Sequence, residues 1–127
     1  MELTEKDFTK RTIGMPSKGS TLGIKDKVFS IFQHMARQMF GRQEIIDLVV
    51  NAYPGTNRGS VIPSNYCYNS VNKDLMSFKL HLFESLGKGM YKCLGLNYPY
   101  SGPIYWKGQQ VGNWIQGKYQ LWNDPRN

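Results

Sequence analysis

The chain is poor in the residues that build metal and catalytic centres. It has two histidines and two cysteines in 127 residues, and neither pair follows a ligand spacing. His34 lies in an apolar stretch and reads as a partly buried core residue. His81 reads as an outward-facing strand residue. With so few histidines no Ser-His-Asp arrangement can be assembled. Cys67 and Cys93 form no disulfide framework and read as core thiols of a reducing compartment. Glu44, Asp47, Asp74 and Glu84 follow no metal-nuclease spacing, and Gly87-Lys88-Gly89 is too short for a phosphate-binding loop. No catalysis, cofactor or metal is expected. Long apolar runs are also missing: none approaches the ~20 residues of a membrane span. No charged segment leads into an apolar one at the start, so no signal peptide is expected and the protein should be cytoplasmic.

Acidic residues are scarce beside basic ones. Nine Asp and Glu against sixteen Lys and Arg leave a net charge of +7. That excess favours a polyanionic partner, although many small basic domains bind none. Apolar residues make up 40% and aromatics 13%, enough to fold, and the length suits a single domain over 1–127.

Residues 1–19 are polar, are broken by Gly14, Pro16 and Gly19, and read as an arm. Ser20 or Thr21 can cap a helix from about 21 to about 38, with Leu22, Val28, Phe29, Phe32, Met35 and Met39 at helical spacing. A second helix opens at Arg42-Gln43-Glu44, buries Ile45, Ile46, Val49 and Val50, and stops at Pro54-Gly55. Pro63 is tolerated only in a first helical turn. The spacing therefore predicts a turn through 55–60 and a third helix from 61 or 62 to about 71, with Val61, Ile62, Cys67 and Val71 towards the core. Two strands around Gly87-Lys88-Gly89 make a hairpin. Residues 96–127 hold all three tryptophans and add short strands at Ile104–Trp106 and Lys118–Trp122, an aromatic-rich extension packed on a 20–95 core. This order gives an α+β fold, a winged helix-turn-helix of three helices plus a hairpin wing.

The run RQEIIDLVVNAYPGTNRGSVIPSNYCYN, followed by HLFESLGKGMYKCLG, resembles winged-helix modules of bacterial restriction and phage-defence endonucleases, including a reader of methyladenine-containing DNA. The resemblance covers about residues 40–95. It implies a bacterial or phage-encoded protein that binds double-stranded DNA, a modified base included, with a nuclease partner or a homodimer as its setting. Physical chemistry points the same way: Asn, Ser and Arg read base edges in the major groove, and lysines hold phosphates. The expected DNA contacts are Asn57, Arg58, Ser60, Ser64, Asn65, Tyr66, Asn69 and Lys73, with Lys88 and Lys92 from the hairpin. A methyl group would meet Tyr66, or a flipped base would meet Tyr105 and Trp106 of the tail. The tail aromatics equally suit closure of a small core or a protein-interaction surface, so an accessory subunit or inhibitor of a defence complex is the alternative.

Overall fold

The computed structural model describes residues 22–35 and 37–122; the arm and the helix cap expected within 1–21 lie outside them. Two α-helices, three short 3₁₀ turns and two three-stranded antiparallel sheets make up the described chain. The first layer holds α1 (Ile24–Phe32), β1 (Gln38–Gly41), α2 (Arg42–Ala52), β2 (Phe83–Gly87) and β3 (Met90–Cys93), its sheet ordered β1-β3-β2. The second is the meander β4 (Gly102–Trp106), β5 (Gln109–Ile115) and β6 (Lys118–Leu121).

Helix α1 buries Val28 and Phe32, and Phe32 meets Phe40 and Phe83 edge-on. It is shorter than its apolar spacing suggests, because its last carbonyls are claimed by distant chain. Leu96 N donates to Gln33 O at 3.0 Å, and Cys93 Sγ donates to Phe32 O at 3.4 Å. Arg37, at φ 67°, lies where the chain turns into β1, and His34 is exposed there instead of entering the core. Helix α2 runs as its pattern indicates. The Gly41 N–H donates to Glu44 Oε1 at 2.6 Å, satisfying one of the orphan donors around a helix start, and Ile45, Ile46 and Val49 are buried.

The winged helix-turn-helix is overturned, because the third helix does not exist. Pro63–Tyr66 forms a single 3₁₀ turn with Pro63 in its first positions, and the chain then runs extended. The backbone donors that a helix would use internally are spent elsewhere. Tyr68 N donates to Phe83 O at 2.7 Å, and Leu82 N returns a bond to Tyr66 O. Three residues on, Val71 N donates to Tyr105 O and Tyr105 N to Asn69 O. Cys67 and Ser70 thus form parallel bridges with Phe83 and Tyr105, so residues 66–71 join the first sheet to the second. Of the four apolar side chains expected towards the core, Val61, Cys67 and Val71 are buried and Ile62 is half-buried.

In the second sheet Ile104, Gly112 and Leu121 stand opposite one another, as do Gly102, Trp114 and Tyr119. This face packs on Tyr68, Val71, Phe78 and Tyr100. Strands β4 and β6 fall where the sequence suggests; β5 was not foreseen. Three hairpin turns share one geometry, with both central residues at positive φ: Lys88-Gly89 (55°, 74°), Lys107-Gly108 (53°, 78°) and Gln116-Gly117 (52°, 82°). That is the signature of type I′ turns, whose twist suits antiparallel strands.

Candidate nucleic-acid interface

Residues 77–81 run along the seam between the two layers. Phe78 and His81 are buried and Lys79 is exposed. A concave surface lies on each side of this segment, and Lys79 and Leu80 line both.

On one side is a groove of about 290 Å³. Helix α1 contributes Lys25, the 65–73 segment contributes Asn65, Ser70, Asn72 and Lys73, and the seam contributes Ser77 and Lys79. No carboxylate lines it. Two acids lie nearby in sequence. Asp74 caps its own turn, accepting from Ser77 N at 3.0 Å. Asp26 acts on Tyr66, whose phenol is pushed up first by burial and then by that carboxylate. Asn72 Nδ2 donates to Asn65 Oδ1 at 2.7 Å, which leaves the Asn65 amide donors and the Asn72 oxygen for other partners. Lys27, two residues further along α1 and so on another face, is committed elsewhere: its Nζ donates to Thr56 Oγ1 at 3.0 Å and sits 5.8 Å from the Tyr53 ring centroid.

On the other side is a cleft of about 440 Å³ walled by Tyr98, Trp114, Tyr119 and His81, with Lys79 and Lys118 at its rim. Its rings are fixed. Trp114 Nε1 donates to Tyr68 O at 2.6 Å, and Tyr119 Oη donates to Phe78 O at 3.1 Å. His81 lies within 5.4 Å, centroid to centroid, of Tyr68, Phe78, Trp114 and Tyr119. The outward-facing His81 of the sequence reading is therefore corrected.

The expected contact residues fall into three groups. Asn65 and Lys73 meet in the lysine groove, together with the small exposed part of Tyr66. Arg58 and Lys88 both border the first turn of α2: Arg58 bonds Gln43 Oε1 at 3.0 Å and pairs with Asp47 at 2.8 Å, while Gly89, beside Lys88, accepts from Arg42 N. The exposed Ser60 closes the same 3₁₀ turn as Arg58, and the Asn57 side chain caps it through Gly59 N. The third group faces the protein. Tyr66 is 7% exposed and packs edge-on against Phe29, and Asn69 is bonded to the Ser85 backbone. Ser64 is half-buried, close to the Tyr91 phenol. Lys92 differs from these: half-buried in the central strand β3, it lies on the sheet face away from the buried Tyr91 and Cys93, between Met39 and Glu84. Of the two tail aromatics, Tyr105 is exposed and Trp106 lies under Lys107, whose Nζ is 4.7 Å from its ring centroid. Lys25, Lys79, Ser70, Asn72 and Ser77 carry no local signal of a site, and only the fold brings them together.

Both thiols are buried, and burial pushes Cys67 up to about 12 and Cys93 up to about 11. Among the described residues no group of three or more His, Cys, Asp or Glu is placed to hold a metal. No helix among them is long and apolar enough to cross a membrane.

The chain is similar to "Uncharacterized protein YnaC" of Bacillus subtilis (strain 168), 35% identical over 104 residues. The match takes in 77% of this chain and 39% of that relative's length, so the chain spans well under half of it. No solved structure matches. A family model described as "Domain of unknown function (DUF7225)" matches residues 23–121, covering both layers and the groove between them, and the chain belongs to that family.

Proposed function

We propose that the protein binds nucleic acid, double-stranded DNA first of all, across the seam between its two layers. The lysine groove carries this reading. Lys25, Lys73 and Lys79 converge from three separate segments beside Asn65, Ser70, Asn72 and Ser77, with no lining carboxylate. Lysines suit phosphates as compact charges, and the neighbouring amides and hydroxyls suit phosphate oxygens, sugars or base edges. The net charge of +7 adds a long-range attraction. Arg42, Arg58 and Lys88 around the start of α2 offer a second set of cations to the same polyanion. The sequence likeness of about residues 40–95 to restriction-associated modules, which does not extend to their winged-helix fold, is the ground for proposing a restriction or defence setting in which a methylated base is recognised. The methyl contact falls to Tyr66, which lines the lysine groove beside Asn65 with the small part of its ring that is exposed.

Fluorescence anisotropy of a labelled duplex at two salt concentrations tests the proposal. Affinity should fall steeply with salt as displaced counterions lose their entropic advantage. Lys73→Ala and Lys79→Ala should each weaken all sequences alike and lower the salt slope by about one. No binding at low salt ends the proposal. A protein-interaction role is favoured by one separate observation, the exposed Met39, Leu86 and Met90 on the first sheet. Size-exclusion chromatography showing a self-complex indifferent to DNA would favour that role.

A further inference from the structure

The aromatic cleft has a chemistry of its own. At about 440 Å³ it falls within the ~300–1,000 Å³ typical of small-molecule sites. Trp114 is held by its bond to Tyr68 O and Tyr119 by its bond to Phe78 O, so the walls are set before any ligand arrives. Tyr98 and Tyr119 stay partly exposed. Preset aromatic faces of this kind suit a flat, polarisable ring. The rim adds the two exposed cations Lys79 and Lys118, and Lys79 also lines the lysine groove. A chain of phosphates lying in the groove is thus led to the mouth of the cleft.

We infer that the cleft is a nucleobase pocket. It takes one nucleotide of a strand, unpaired or swung out of a duplex, with the base against Tyr98 and Tyr119 and its phosphate on Lys79 or Lys118. This inference rests on the nucleic-acid reading above and assigns a second, distinct surface within it. A base leaves a duplex at a cost of a few kcal/mol, so a single strand or a mismatched site should be preferred over a perfect duplex in this pocket.

The test uses the full chain and three probes: a short single strand carrying 2-aminopurine, a perfect duplex, and deoxyadenosine monophosphate. Tyr98→Ala should weaken the single strand by roughly five- to 150-fold, the range expected for one lost base–aromatic stack. Its effect on the perfect duplex should be smaller. Lys118→Glu, at an exposed rim position, should weaken the single strand as well. Stacking in the cleft should change the 2-aminopurine emission on binding, and Tyr98→Ala should abolish that change. The indole N–H resonance of Trp114 reports whether the cleft stays folded in each variant. If Tyr98→Ala perturbs it, Lys118→Glu decides the matter. Wild-type binding of the single strand by the intact variants, with Lys73→Ala still weakening the duplex, overturns the pocket and leaves the nucleic-acid reading standing. Monophosphate binding as tight as the strand overturns it too, since the site would then serve free nucleotides. Failure of every probe to bind at low salt overturns both readings.

Discussion

Asn69 and Ser85 are joined by two hydrogen bonds between one side chain and one backbone. Asn69 Nδ2 donates to Ser85 O at 2.9 Å, and Ser85 N donates to Asn69 Oδ1 at 2.9 Å. The amide imitates a strand neighbour at the point where the register of β2 slips between Ser85 and Gly87. Asn69→Ala should cost about 1–3 kcal/mol, because two half-buried backbone groups lose their partner. Asn69→Asp should be at least as damaging, since a carboxylate cannot donate to Ser85 O. Thermal or urea unfolding measures both, and wild-type stability in Asn69→Ala would remove this account.

Gly112 faces a different constraint. A Cβ built on it would lie 2.2 Å from Gln120 O and 3.0 Å from Leu121 Cα. Both are backbone atoms of the neighbouring strand and cannot swing aside. Gly112→Ala should therefore destabilise by about 1–3 kcal/mol, the usual cost of overpacking. The damage should appear first in amide exchange of β5 and β6.

The Arg58–Asp47 pair separates stability from binding. Both side chains are about half exposed, at 50% and 55%. Arg58→Ala should shift stability by less than about 1 kcal/mol. Asp47→Asn releases the guanidinium from its carboxylate and removes a negative charge. It should raise duplex affinity severalfold at low salt and hardly at all at high salt. Unchanged affinity at low salt would exclude Arg58 from the interface.

Cys67 sets a limit at alkaline pH. Its folded-state value of about 12 lies above the ordinary 9.0, first because of burial. Between those values the folded chain keeps a proton that the unfolded chain has lost. The contribution to stability is therefore complete below about pH 9 and is lost as pH rises towards about 12, with a slope of up to about 1.4 kcal/mol per pH unit. Cys93 and the buried tyrosines add to the same window, so the check is the difference in urea-unfolding slope between the wild type and Cys67→Ala. Iodoacetamide should label the native thiols far more slowly than the unfolded ones at neutral pH.

What could be read from the sequence was what is encoded locally. The start of α2 at Arg42-Gln43-Glu44 and the Lys88-Gly89 turn each carry their signals within a few residues. Strand β1 carries none, because Gln38–Gly41 becomes a strand only by pairing with β3, far along the chain. Strand β5 was hidden by Gln109, Gln110, Gly112 and Asn113, which break the apolar alternation. The non-existent third helix was a conflict between levels. Apolar spacing favoured it, but Pro63 and backbone donors bound to Phe83 and Tyr105 decided otherwise. At the candidate site, Asn65 and Lys73 stood out as polar residues in one segment. Lys25 and Lys79 gave no sign, because a groove assembled from three distant segments has no spacing to read.

The double attachment of residues 66–71 fixes the length of that segment to the residue. Tyr68 is bonded to Phe83 on one side, and Val71 to Tyr105 on the other. An extended chain alternates its side chains, so one inserted residue between Tyr68 and Val71 would turn everything beyond it to the opposite face. Val71 would leave its core, or the bonds to Tyr105 would slip by one. Relatives of this fold should therefore vary in length at their hairpin tips and hold this segment constant, because any change here would have to be absorbed by both sheets at once.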